Sequence, residues 1–237
     1  MGLKPSPQSP KHAEGNLLVR TLLRVLGFVL VLTVWQWVKN GLFDTGWSLL
    51  IILGGSIAVL PVVWIGRVML DAKPTIGHVT RVTTFVHYDI MILLGAAVIQ
   101  ALKVAQASPG WGIPLPEPLS RVLVVTTGAL TALTVANLTL RGLGAPFGIA
   151  LSRRLAIDWM YAWTRNPMVL CTLALLVSAG LWLRSLPFVL WVVVVVLPVM
   201  LVYLKVYEER ELEIRFGESY LDYKAKTPML WPRKPKA

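Results

Sequence analysis

Charge is what this chain of 237 residues has least of: Asp, Glu, Lys and Arg supply 15% of it against 56% hydrophobic residues. That ratio excludes an ordinary soluble domain, and the length exceeds the needs of a single anchor. Cysteine is nearly missing as well. Cys171 is the one copy and sits inside an apolar run, which excludes an intrachain disulfide and a cysteine-only metal site. The chain has no Walker phosphate loop, no His-Glu-x-x-His zinc helix, no paired Cys-x-x-Cys, no nucleophile elbow and no dinucleotide fingerprint after a strand. The glycine-rich stretch 142–148 follows an apolar run and therefore reads as a loop. Acidic residues are scarce beside basic ones, 12 against 23, for a formal charge of +11. Those basic residues are scattered between apolar runs, a pattern that suits anionic lipid headgroups and argues against a nucleic-acid partner.

What is abundant is apolar sequence in long pieces. A bilayer core about 30 Å thick takes about 20 helical residues. Six stretches reach or approach that length, at 17–38, 47–65, 84–104, 119–140, 168–183 and 187–206. The expected fold is an all-α, polytopic membrane bundle of about six spans in one domain. Residues 1–16, rich in Pro, Ser and Lys, read as a disordered cytosolic tail rather than a cleaved signal peptide. Residues 17–141 would form a four-helix membrane region, and 142–237 a cytosolic loop, a helical hairpin and a cytosolic extension.

Orientation follows from the basic residues near span ends. With the N-terminus in the cytosol, only Lys39, Lys103, Arg121 and Arg184 fall on the far side. Every other Lys and Arg is cytosolic, so both termini are expected there and the span number is even. The turn Arg184-Ser185-Leu186 is too short for anything but an antiparallel hairpin. Pro198 would kink the last span, which then has no breaker before Gly217 and should run beyond the headgroups. Ionisable residues collect at the cytosolic ends, and a site is expected at that face.

Four features there carry chemistry, each with a plainer alternative. Glu208 and Glu209 are adjacent on the helical extension and point about 100° apart, so they do not form an acid/base dyad. One would bind a cation while the other pairs with a basic residue, or both, with Glu211 and Glu213, belong to an exposed charged face. Arg165-Asn166-Pro167 precedes the fifth span. Asn166 and Pro167 suit a helix N-cap and first turn, and Arg165 beside a helix N-terminus suits a carboxylate or phosphate. His87 and Asp89, with Asn137 on the next span, lie near cytosolic span ends, where they serve a site or anchor the helix. His87 and Asp89 face different ways, against a shared metal. Arg153 and Arg154 add two cations to the preceding loop.

In order, Gly144-Ala145-Pro146-Phe147, Arg153-Arg154-Leu155, Tyr161, Arg165-Asn166-Pro167-Met168, an apolar hairpin, Glu208-Glu209, Phe216-Gly217-Glu218-Ser219-Tyr220, Tyr223 and Pro228 resemble the isoprenylcysteine carboxyl methyltransferase and phospholipid methyltransferase-like family, in its bacterial-type branch. The resemblance covers about 142–232. It implies a multi-pass protein, in a bacterial inner membrane, that uses S-adenosylmethionine on the cytosolic side to methylate a membrane lipid or lipidated acceptor. It further implies that Arg153, Arg154, Leu155, Ala156, Tyr161, Arg165, Asn166, Pro167, Met168 and Val169 line the cofactor, with Glu208 and Glu209 at its cationic amino end. Lys205 would contact the acceptor, and His87 or Asp89 would take a proton if the acceptor is an amine. The chain departs from the family at Trp159, where glycine is usual, at Asn166 for His, at Val169 and Cys171 for Tyr and Gly, and at Leu204 for a substrate-holding Arg. The departures at Trp159 and Leu204 keep a catalytically silent membrane scaffold in view, and a related membrane reductase using a nicotinamide cofactor stays in view because its superfamily shares parts of this C-terminal pattern.

Overall fold

The computed structural model describes residues 10–107, 112, 115–142 and 155–234. Among them every regular element is helical. We number the helices α1 (Pro10–Asn40), α2 (Thr45–Ala72), α3 (Ile76–Ala107), α4 (Glu117–Gly142), α5 (Met160–Trp163), α6 (Pro167–Trp182), α7 (Leu186–Phe216) and α8 (Glu218–Lys226). Five of them, α1 to α4 and α7, are long and apolar enough to cross a membrane. α6 has 16 residues, which is about 24 Å of helix and short of a 30 Å core. α1 begins at Pro10, so helix takes in part of the stretch assigned above to a disordered tail; Pro10 fits a first turn, where its missing N–H goes unneeded.

The helix ends have local causes. Asp44 caps α2 by accepting from Trp47 N at 2.8 Å. In the α6–α7 hairpin Arg184 adopts φ 53° and Ser185 caps α7 through Phe188 N. α7 continues as expected to Phe216 and stops at Gly217, whose φ of 53° suits a residue without Cβ. Its 31 residues amount to about 46 Å, so roughly 16 Å projects beyond a 30 Å core. α7 widens into π turns at Val192–Val196, just before Pro198, and at Tyr203–Glu208.

Among the described residues two large apolar clusters hold the bundle, and a smaller one of Val31, Tyr88 and Met91 joins α1 to α3. One joins α2 (Val59, Val63, Leu70), α3 (Val79, Val82, Val86) and α7 (Val199, Tyr203, Leu204, Tyr207), and includes Leu230 from the C-terminal segment. The other joins Ala97, Ala101 and Ala105 of α3 to Leu173 of α6 and to Phe188, Trp191 and Val196 of α7. Gly66 makes the first contact possible, since a Cβ there would lie 2.7 Å from Val86 Cγ2 and 2.8 Å from Tyr207 Cε2. α1 packs on α3, and Trp35 Nε1 donates to Met91 O at 2.8 Å. α4 packs along α6 at the edge of the bundle. The arrangement places the α5–α6 junction beside the projecting end of α7.

Candidate functional site

The α5–α6 junction is built from backbone groups that the helices leave open. Pro167 takes the first turn of α6, where no backbone donor is required. Asn166 makes no side-chain cap, contrary to the simplest reading of its position. Its Nδ2 donates instead to Met229 O at 2.9 Å, the carbonyl that also accepts from Thr164 Oγ1 at 3.1 Å. Arg165 N donates to Pro228 O at 2.9 Å, and Arg233 N donates to Trp163 O at 3.0 Å. The C-terminal segment is thereby fastened across the start of α6. Met229 was not anticipated, because a backbone carbonyl leaves no side-chain signal in a sequence.

The two adjacent carboxylates do different work. Glu209 is a structural clamp: Oε1 accepts from Arg165 Nη2 at 2.9 Å and Oε2 from Lys224 Nζ at 2.6 Å. Arg165 Nη1 also reaches Tyr220 OH at 3.1 Å, so α6, α7 and α8 meet on one guanidinium. The hydrogen bond to Glu209 is the main cause that raises the Lys224 ammonium above its ordinary pKa. Glu211 is not on an exposed face; it is 4% exposed and its Oε1 accepts from Arg215 Nη1 at 2.5 Å. The expected solvated charge stripe is overturned because the end of α7 is packed by α2, α3 and α8 instead of standing free.

Glu208 stands at the end of the second π turn, a backbone feature common at functional sites. Its Oε2 is buried and has no hydrogen-bond partner, and the same is true of Arg165 Nε. Burial first, then the charges of Glu211 and Glu209, pushes the Glu208 carboxyl up to about 8, with Arg165 opposing. Tyr161 is buried beside it, and Tyr223 OH fixes this segment by donating to Tyr161 O at 2.6 Å. Burial first, then the charges of Glu208 and Cys171, pushes the Tyr161 hydroxyl well above its ordinary pKa, so it stays protonated. The site thus contains a guanidinium whose Nε has no partner although its other nitrogens are paired, a carboxyl oxygen without a partner and a neutral phenol.

Other expected residues are distributed unevenly. His87 turns inward: its Nδ1 lies 2.7 Å from Thr83 O, which can only accept, so Nδ1 carries the proton and Nε2 accepts from Tyr203 OH at 3.0 Å. Tyr203 begins the π turn that ends at Glu208, so His87 touches the site's framework. Asp89 lies on an exposed face of α3 and is not brought there. Lys205 is also exposed, whereas Leu204 is buried in the first apolar cluster. Ala156 is buried, Leu155, Met168 and Val169 are half-buried, and Arg153, Arg154 and 144–147 lie outside the described residues. Trp159 holds φ 58° and ψ −121°, a glycine-like conformation, with its side chain turned out and 61% exposed.

A phospholipid methyltransferase family model matches residues 119–219. The chain is similar to that family from α4 through the projecting end of α7. No curated protein and no solved structure matches it. The matched segment contains Tyr161, Arg165 and Glu208. It stops before Tyr220, Lys224 and Met229, the groups that hold Arg165, Glu209 and Asn166 in place.

Proposed function

We propose that this protein is an S-adenosylmethionine-dependent methyltransferase acting on a lipid-like or otherwise membrane-partitioned acceptor at the cytosolic face. The observation that carries the reading is the pair of buried, unpartnered groups, Arg165 Nε and Glu208 Oε2, within the segment similar to phospholipid methyltransferases. A buried polar atom without a partner is costly, and a ligand that presents an anion to Arg165 Nε and an ammonium to Glu208 Oε2 would satisfy both. The amino-acid end of S-adenosylmethionine has that form. The positive-inside distribution of Lys and Arg supports the cytosolic placement.

In this reading Arg165 Nε would donate to the cofactor carboxylate and Glu208 Oε2 would accept from its ammonium. When bound, the cofactor supplies a methyl group on a sulfonium. Glu209 and Tyr220 hold the guanidinium so that Nε stays directed into the site. Tyr161, kept protonated, offers a donor without adding charge beside Glu208. A carboxylate acceptor needs no base. An amine acceptor must lose a proton, and a proton bound for His87 Nε2 would pass through the Tyr203 hydroxyl.

The test is binding followed by transfer. Full-length protein in detergent should be thermally stabilised by S-adenosylmethionine at micromolar concentrations and not by a nicotinamide dinucleotide. Vesicles containing the protein should incorporate label from methyl-tritiated cofactor into the lipid extract. No stabilisation far above micromolar concentration would overturn the enzyme reading and favour a scaffold; stabilisation by the dinucleotide alone would favour a reductase.

A further inference from the structure

Glu208 closes a turn of α7 that departs from the α ladder, and such a departure leaves backbone groups to be satisfied from elsewhere. Glu209 N donates to Leu204 O, five residues back, and the α ladder resumes at Glu209. Between those points the amides of Arg210 and Glu211 face three carbonyls, those of Lys205, Val206 and Tyr207. One carbonyl therefore needs a donor from outside α7, because an unpaired backbone acceptor inside a helix bundle is costly. Arg67 of α2 supplies it: its Nη1 donates to Val206 O at 2.9 Å.

The same arginine is seated in turn by a carboxylate. Arg67 Nε donates to Asp71 Oδ2 at 2.6 Å, and Asp71 Oδ1 accepts from Arg210 Nε at 2.8 Å. α2 thus grips α7 at Val206 and at Arg210, and Glu208 lies midway between the two. α3 holds two more residues of the turn, since Tyr203 OH donates to His87 Nε2 and Tyr207 OH to Thr83 Oγ1, both at 3.0 Å. Within the turn it is Glu208 Oε2 that stays buried and without a partner. The side chains of Arg67, Asp71 and Arg210 are about a third exposed or more, where ion pairs add little to stability. Their arrangement is better explained by the shape they impose on α7.

We propose that Arg67, seated by Asp71, is a positioning residue for Glu208: by supplying the donor that the π turn lacks, it keeps the turn open and fixes the direction in which the Glu208 carboxyl enters the site. Arg67 acts through the backbone of α7 and not on the cofactor. The inference rests on the methyltransferase reading for its effect on binding, whereas the contact to Val206 is read without any cofactor.

Arg67→Met, alone and combined with Glu208→Gln, is the test on full-length protein in detergent, with S-adenosylmethionine as the probe. Melting should fall by no more than about 4 °C, since the pairs lost are partly exposed. Arg67→Met should weaken S-adenosylmethionine binding about fivefold or more in the wild-type background and less than about twofold where Glu208 is already glutamine, because both changes act on one contact. Valine labelled at its carbonyl carbon, together with nitrogen-labelled tyrosine, marks the peptide bonds Val202-Tyr203 and Val206-Tyr207. In Arg67→Met the Val206 carbonyl resonance should move upfield, and further than that of Val202. Unchanged affinity, or an equal loss in both backgrounds, would overturn the proposal, as would a Val206 resonance that stays in place. If Arg67→Met does not fold, Asp71→Asn, which unseats both arginines, is read against the same outcomes. Failure of wild type to bind S-adenosylmethionine sinks the methyltransferase reading, while the Val206 resonance still decides whether Arg67 holds the turn.

Discussion

Replacing Glu208 and Glu209 separately with glutamine gives opposite results if the geometry is right. Each change replaces a carboxyl by an amide at nearly constant volume, and the positions are adjacent, so a generic charged face would respond alike to both. Glu208→Gln removes a buried carboxyl, raised to about 8, whose Oε2 has no partner, and unliganded stability should stay level or rise. The lost bond to a ligand ammonium, worth about 1.5–3 kcal/mol for a hydrogen bond to a charged group, should weaken S-adenosylmethionine binding by roughly 10- to 150-fold. Glu209→Gln instead breaks contacts of 2.9 Å to Arg165 and 2.6 Å to Lys224. Arg165 and Glu209 are nearly buried, but Lys224 is a third exposed, so the cost should fall below the 3–5 kcal/mol of a fully buried pair, at about 2–3 kcal/mol. At about 2–4 °C per kcal/mol for a chain of this size, melting should drop by roughly 4–12 °C. Differential scanning fluorimetry and isothermal titration calorimetry on detergent-purified protein read the two quantities. Equal losses of melting temperature and of affinity in both variants would refute the division of roles.

Further outcomes follow from individual contacts. Glu211→Gln should lower the melting temperature by several degrees, because it leaves Arg215 beside a neutral partner in a buried setting; an unchanged melt would mean that the end of α7 is solvated. Gly66→Ala should cost about 1–3 kcal/mol, since its Cβ meets the Tyr207 ring and Val86, and a melt within a degree of wild type would show that α2 and α7 do not close there. Trp159→Gly should raise stability by about 1 kcal/mol by releasing the positive-φ strain, without changing cofactor affinity. A loss of affinity in that variant would show that the exposed indole contributes to the site.

Hydrophobic run length alone announced the spans, because a bilayer demands both the length and the internal hydrogen bonding of a helix. The approximate ends of α4 and α7, the tight α6–α7 turn and the stop at Gly217 were legible because capping and breaking act between residues close in sequence, whereas α3 starts eight residues before the expected run. The order of motifs from Arg153 to Pro228 pointed toward the methyltransferase families before any contact was known. The pairing of charges was not legible. Glu208, Glu209 and Glu211 have the same chemistry and fall within one turn; which is left open, clamped or buried depends on Arg165 and Lys224 arriving from other elements and on the packing that buries Glu211 beside Arg215, four residues on along the same helix. Sequence determined which segments leave water, since that depends on composition over a window of residues. Tertiary structure decided which polar groups remain unsatisfied, since that depends on the few ångströms separating side chains distant in the chain.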